Sequence, residues 1–331
     1  MSNDMSIDAR RKMAIILRCL AESDKTLGSR KIAREVAARG IDLKERMIRY
    51  YLDEMDRLGF TENLGRRGRR ITDVGRDELR SAVAVDRVGF VSARVDELAY
   101  KLTFDLAQRK GTVVVNISTI PASSFAKAKM ALVRAVNAGL GMGTYVAVAR
   151  GGKTIAGFPV PKGRIALGTV CSVTVNGVLY AHGIPVVSRF GGLLEMKDGE
   201  PRRFTHIINY DGTTVDPIEI FIKGKMTGVN SVARTGTGTI GASFREVPAA
   251  ALSEVEDVIA KLDDVGLGGV LMIGEPGKSL LDIPVSQERV GLILSPGLNP
   301  IAALEETGVA TENAAMAALC EFDTLVPITD I

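Results

Sequence analysis

The densest polar run in an otherwise apolar stretch is Cys171-Ser172-Val173-Thr174-Val175-Asn176-Gly177-Val178, continued by His182-Gly183-Ile184-Pro185-Val186-Val187-Ser188-Arg189-Phe190-Gly191-Gly192. Hydroxyls and an amide at the start of a short helix, with an arginine arriving on the next strand, offer what a carboxylate needs: helix-end N–H groups, O–H donors and a guanidinium. Cys171, Ser172, Thr174, Asn176, His182, Ser188 and Arg189 are therefore the candidate residues for binding a small anion. Each also has an ordinary structural reading: Thr174 an N-cap, Asn176-Gly177 a turn, His182 a surface residue after a helix, Cys171 a small buried apolar group. Only the cluster points to a ligand. If the site lies elsewhere, Lys153, Lys223 and Arg245 mark the next places to look.

A second set of residues suggests contact with nucleic acid. Ser29, Arg30, Lys44, Arg46, Arg49, Tyr50, Arg66, Arg67, Arg69 and Arg70 supply guanidinium, ammonium, hydroxyl and aromatic groups suited to phosphates and base edges. Residues 1–80 carry net charge +5 and the rest −2, so the basic charge sits on the segment holding these residues. Other motifs fail on context. Gly236-Thr237-Gly238-Thr239-Ile240-Gly241 has dinucleotide-fingerprint spacing but leads into a strand rather than a helix. Gly277-Lys278-Ser279 resembles the end of a phosphate loop, yet position 272 is Met and Pro276 removes an N–H that the cradle needs. Cys19, Cys171 and Cys320 are far apart and the chain has 2 histidines, so neither a disulfide framework nor a zinc site is expected. No catalytic motif accompanies them, and the chain is not expected to be an enzyme or to carry a cofactor.

The elements that must position the basic residues are three helices and a hairpin. Met13, Ile16, Leu17 and Leu20 recur at three and four residues over Ile7–Ala21. Ser29 N-caps a second helix, Arg30–Arg39, closed by Gly40. A third opens at Asp42, with Glu45 three residues on as an acidic capping box, and ends at Gly59. Its inward stripe is Ile48, Tyr51, Leu52, Met55 and Leu58, leaving Lys44, Arg46, Arg49, Tyr50 and Asp53 outside. Residues 60–64, a turn at 65–70 and residues 71–72 then form a strand, a glycine-shaped tip and a strand. Residues 1–80 thus read as a winged helix-turn-helix.

Behind this head the chain says one thing twice. Gly111-Thr112-Val113, Pro121 and Gly139-Leu140-Gly141 recur 127 residues later; Gly152-Lys153-Thr154, Pro159-Val160, Arg164 and Gly183 recur after 125. Each copy orders its elements β-α-β-β-α-β, the pattern of the ferredoxin-like plait. The fold class is therefore α+β: a winged helix at 1–80, a linker or hinge helix at 81–110 around Val95, Leu98, Ala99 and Leu102, and a duplicated body at 111–331, with copies at about 111–190 and 238–328. The segment from Gly191 to Ala233 joins the copies and is least easily assigned. The first copy's last strand is placed at Ile184–Arg189. With 46% hydrophobic and 24% charged residues, and no stretch of about 18 uncharged apolar ones, the chain reads as globular and cytoplasmic without a membrane span or secretory signal.

Nearly the whole chain resembles a known family. The head looks like the winged-helix domain of ribonuclease R-like and archaeal regulators. Cys171 to Gly177, Gly183 to Gly192, and Gly277-Lys-Ser-Leu-Leu-Asp-Ile-Pro-Val285 resemble the effector domain of NrpR, the archaeal repressors of nitrogen-assimilation genes. The resemblance implies a homodimeric repressor on palindromic operators of duplex DNA, upstream of nitrogen-fixation and glutamine-synthetase genes, released when 2-oxoglutarate fills the effector domain. A small dicarboxylate suits the cluster described above, where Arg189 is expected to hold its carboxylates. The chain has one effector domain where some relatives have two, which leaves open a second regulator chain. Two other readings stay open: an enzyme or cofactor carrier with a regulatory head, and a protein-interaction co-regulator.

Overall fold

The protein is described here as a computed structural model covering residues 7–23, 25–38, 43–86 and 89–331. It divides into two compact units, residues 1–88 and 89–331.

The first unit packs helices α1 (Ile7–Ala21), α2 (Ser29–Ala38), α3 (Glu45–Arg57) and α4 (Asp73–Asp86) with a hairpin of β1 (Thr61–Asn63) and β2 (Arg69–Ile71). Met13, Ile16, Leu17 and Leu20 are buried against Ile32, Val36, Ile48, Leu52 and Met55, as their spacing requires. Leu27 exchanges both backbone hydrogen bonds with Arg69, at 3.0 and 2.9 Å, adding a third short strand. Beside it, Gly68 has φ +96°, and a Cβ there would lie 2.6 Å from the Leu27 carbonyl, so only glycine fits the end of the wing turn. Three expectations change. The Gly28 carbonyl, not Ser29, takes the first N–H groups of α2, from Lys31 and Ile32. Lys44 occupies the N-cap of α3, and the expected caps Gly40 and Asp42 lie outside the described residues. Arg69 and Arg70 belong to β2 rather than to the wing turn.

The second unit begins with α5 (Phe90–Lys101). The first copy follows as β3 (Thr112–Pro121), α6 (Phe125–Asn137), β4 (Tyr145–Arg150), a small hairpin of β5 (Thr154–Ile155) and β6 (Phe158–Pro159), β7 (Arg164–Val170), α7 (Val173–Ala181) and β8 (Val187–Lys197). The connection folds as β9 (Glu200–Asn209), α8 (Pro217–Lys223) and α9 (Val229–Thr235). The second copy is β10 (Gly238–Pro248), α10 (Leu252–Asp264), β11 (Val270–Ile273), β12 (Arg289–Leu294), α11 (Asn299–Glu305) and β13 (Glu312–Glu321), followed by β14 (Val326–Pro327).

Two antiparallel sheets form, ordered β13-β3-β7-β4-β14 and β11-β12-β10-β8-β9. Each therefore takes three strands from one copy and the last strand of the other: β8 pairs with β10, and β13 with β3. Two self-contained plaits, the sequence expectation, do not form. The strand placed at Ile184–Arg189 instead runs from Val187 to Lys197, long enough to line β10 from Gly238 to Glu246 and to carry β9 on its other edge. Helices cross between copies as well, α6 packing on α11 through buried Ala128, Ala131 and Ala135 against Ile301 and Ala302. Small side chains let those backbones approach.

The expected hinge at 81–110 is also corrected. Val91, Val95, Leu98 and Ala99 of α5 are buried in the core of the second unit, and Arg94 Nη2 donates to the carbonyls of Met316 (3.3 Å) and Ala317 (3.2 Å). A helix with its apolar stripe buried and its arginine fastened to β13 is a wall of the body. α7 crosses it at Gly177, which lies inside the helix and not at a turn; a Cβ there would stand 2.9 Å from the Ala99 carbonyl oxygen and from Leu102 Cβ. Gly177→Ala should destabilise the second unit by about 1–3 kcal/mol through overpacking. Denaturant unfolding should show an earlier transition for residues 89–331 and an unchanged one for the head; an unshifted body would mean that α5 does not pack there.

Candidate anion site and nucleic-acid interface

β10 is buried almost end to end, and in its middle stands Arg245, 1% exposed. Its register partner on β8 is Ser188. Nη1 donates to the Ser172 carbonyl at 2.6 Å and to Asn176 Oδ1; Nη2 donates to Ser172 Oγ at 2.9 Å. Asn176 Nδ2 in turn donates to Ser188 Oγ at 3.0 Å. Nε has no partner among the described residues. The guanidinium thus meets neutral acceptors and forms no ion pair among those residues, and burial pushes its pKa down from the ordinary arginine value. Holding a cation out of water without a directly paired carboxylate costs several kcal/mol. An arriving anion would relieve that cost.

Beside Arg245 is a cavity of about 20 Å³, walled by Asn116 of β3, Cys171, Ser172, Asp216, Gly297 and Met316. That is room for about one water. Cys171-Ser172 and Pro296-Gly297 are equivalent positions of the two copies, so the cavity lies where the repeats meet. Gly297 makes the close approach possible, since a Cβ there would sit 1.8 Å from the Val170 carbonyl oxygen. Met316, at φ +48°, forms another wall. Its N–H donates to Asn116 Oδ1 (3.0 Å) and its carbonyl accepts from Arg94 Nε (3.3 Å). A left-handed methionine held from both sides stores strain of order 1–3 kcal/mol.

Burial raises the Cys171 thiol to about 11, which makes it a neutral wall rather than a nucleophile. Asp216, N-cap of α8 through bonds from the N–H groups of Ile218 (2.9 Å) and Glu219 (3.4 Å), is raised to about 6 by burial and then by the neighbouring Glu219 carboxylate.

Of the seven cluster residues, Ser172, Asn176 and Ser188 gather around Arg245, and Cys171 lines the cavity. Thr174 does not. Its hydroxyl accepts from Val114 N–H at 3.1 Å, tying α7 to β3. Arg189 points to the other side of β8 and pairs with the buried Glu246, because alternate residues of a strand face opposite ways. His182 caps the far end of α7, its Nδ1 2.8 Å from the Val178 carbonyl oxygen, and borders a separate open groove with Arg109 and Lys261. Arg189 is thus not part of the cluster, and the guanidinium at its centre is that of Arg245, one of the three alternatives named from the sequence; Asn116 and Asp216 were not foreseen. A charged residue inside the apolar run Ile240–Val247, opposite Ser118 in the repeat, was the available signal.

On the head, ion pairs sort the candidate residues. Ser29 Oγ donates to Glu45 Oε1 (3.0 Å) and accepts from Arg49 Nε (3.3 Å), while Arg49 and, more loosely, Arg30 at 3.6 Å pair with Glu45. Arg49 holds that carboxyl below its ordinary range. Arg69 joins β2 to α3 through Asp53 and Asp56 (2.8 Å to the latter) and is the least exposed of the wing arginines. Arg70 pairs with Glu62 at 2.8 Å. Lys44, Arg46, Arg66 and Arg67 are exposed and make no side-chain pair among the described residues. Tyr50 is 62% exposed, its ring edge-on to Tyr51.

Comparison with known proteins agrees with both halves. Residues 88–326 match the family model of NrpR regulatory domains NRD1 and 2, and residues 14–79 that of the ribonuclease R winged-helix domain. The chain is 36% identical over 324 residues to the global nitrogen regulator NrpRI of Methanosarcina mazei, covering 98% of this chain and 100% of that one. It is 29% identical to the global nitrogen regulator NrpR of Methanococcus maripaludis, spanning 54% of that relative's length. The crystal structure of a nitrogen repressor-like protein from Methanococcus jannaschii is similar at TM-score 0.62 and 28% identity, covering 71% of this chain and 97% of that one.

Asp216 yields a pH prediction. Folded, its carboxyl keeps a proton up to about pH 6; unfolded, it releases it near 3.8, so this group's contribution to stability falls as pH rises through that window and is flat above it. Asp216→Asn keeps the helix cap and removes the fall, leaving the second unit about 1–3 kcal/mol more stable at pH 7. Unfolding at pH 4 and 7 checks this; an Asn variant with the same pH slope as the parent contradicts it.

Proposed function

The chain belongs to the NrpR family of nitrogen regulators, and on that premise we propose that it represses nitrogen-assimilation genes by binding duplex DNA through its first unit, and lets go when 2-oxoglutarate enters its second. It is a nitrogen-related transcriptional regulator with a winged-helix domain and not an enzyme, as the relatives are named. No helix among the described residues is long and apolar enough to cross a membrane. The observation that carries the ligand reading is Arg245: a buried cation with neutral partners, beside a cavity, among three residues of the polar cluster. A carboxylate can pair directly with the guanidinium, as Asp216 in the same cavity wall does not among the described residues, and can accept from Nε. The cavity of about 20 Å³ is smaller than a dicarboxylate, so the ligand selects a wider form of the body. If that form holds DNA less well, release follows without the ligand touching DNA; tenfold weaker binding needs about 1.4 kcal/mol of coupling.

Two identical chains on a palindrome place their α3 helices about 34 Å apart, one turn of DNA, so a small rearrangement between them breaks register at one half-site. The second reading is action with a second regulator chain; it is favoured by the chain's spanning 54% of the Methanococcus maripaludis relative. We read the body as a duplicated ferredoxin-like βαββαβ unit whose copies have exchanged last strands, supported by the shared element order and the spacings of 127 and 125.

Two outcomes test this reading. On a duplex selected by the protein, 2-oxoglutarate should weaken binding by the parent and by Arg189→Ala but not by Arg245→Met or Arg245→Lys; retained release in the Arg245 variants would put the site elsewhere. Neutralising Arg66 and Arg67 should weaken all duplexes alike and flatten the salt dependence, whereas Arg46→Ala should relax sequence preference, by about 1–3 kcal/mol if Arg46 makes a bidentate base contact. The reverse pattern would exchange the two roles.

A further inference from the structure

The outer face of α3 is divided. On one flank, Glu45 and Arg49 are tied to each other and to Ser29 of α2. Farther along, Asp53 is taken up by Arg69 of β2. Beside this stripe of pinned charges stand Arg46, exposed and unpaired among the described residues, and two partly exposed side chains with apolar surface, Met47 (39% exposed) and Tyr50 (62%). Met47 and Tyr50 are three residues apart and so neighbours on the helix surface. Met47 stands outside the buried stripe of Ile48, Tyr51, Leu52 and Met55.

Resting on the DNA-binding reading above, we propose that Met47 and Tyr50 form a thymine-methyl reader, a specificity-determining contact in the major groove beside the cation of Arg46. The occupant follows from the chemistry around the patch. The free cations Lys44, Arg46, Arg66 and Arg67 favour a polyanion over an apolar protein face, and in the major groove the C5-methyl of thymine is the apolar group that a base pair displays. A thioether adapts its shape to such a methyl, and a tyrosine ring offers a flat apolar surface with little rotamer entropy to lose. Arg49 and Arg69 act differently: held by acids, they position α3 against α2 and the wing.

The test is a methyl-deletion cycle on the full chain. A duplex is selected from a random library by the protein, and each thymine is replaced singly by deoxyuridine, which removes only the methyl. At one or two positions the parent should bind the thymine duplex about threefold to fivefold more tightly, the worth of one buried methyl-sized group. Met47→Ala and Tyr50→Ala, both at exposed positions, should bind thymine and deoxyuridine duplexes equally while keeping the parent's salt dependence. A parent indifferent to deoxyuridine at every position, variants that retain the discrimination, or variants altered only in self-association would overturn the methyl reader and leave DNA binding standing. Binding to no duplex, or binding insensitive to salt, would overturn the DNA reading and this inference with it.

Discussion

Arg245 brings a full positive charge into the interior of the second unit, where it is buried and its acceptors are a carbonyl, a hydroxyl and an amide. Neutral dipoles offset part of the desolvation, and Nε has no partner among the described residues. The surrounding backbone is fixed around this group. Ser172 Oγ accepts from the guanidinium and makes no side-chain cap on α7, and Asn176 is turned inward, where it links Arg245 to Ser188.

That arrangement depends on the exchange of strands. Ser188 faces Arg245 because β8 pairs with β10; paired inside its own copy, β8 would lie along β3, and the chain from Arg245 through Asn176 to Ser188 could not close. The exchange also sets Cys171-Ser172 against Pro296-Gly297, so the cavity belongs to both copies and neither alone. Symmetry stops there. Arg245 stands where the first copy has Ser118, and Asn176 where the second has Ile301, so the frame is paired and the charge is single. α5 completes it, its Arg94 holding the carbonyl of the strained Met316 in the cavity wall. A helix outside the repeats is thereby joined to the wall of the cavity beside Arg245.

Much of this was legible in the residues. The helix stripes of the head, the wing, the repeat and the β-α-β-β-α-β order follow from spacing, because periodicity records which face must be buried. Strand partners are another matter: the side-chain pattern of β8 says that it is covered, and nothing in it says by which copy. Hence the exchange is not legible, and without it Arg245 ranks behind Arg189 among the candidate arginines. Arg189 is next to Ser188 in sequence but on the opposite face of the strand; Arg245 is 57 residues beyond Ser188 and directly across from it on the neighbouring strand. On the head the sequence showed which residues face outward but not which are tied down. Arg49 and Arg69 look like Arg46 and Arg66 until Glu45, Asp53 and Asp56 are seen beside them.

The central claim is that Arg245 is the anchor of an anionic effector. Calorimetric titration of the full chain with 2-oxoglutarate, with glutamate and glutamine as controls, reads it most directly. The account predicts a saturating heat with one ligand per chain for 2-oxoglutarate, none for glutamine, and loss of that heat in Arg245→Met while Arg189→Ala titrates like the parent. An Arg245→Met chain that is folded and still binds 2-oxoglutarate as the parent does would contradict it.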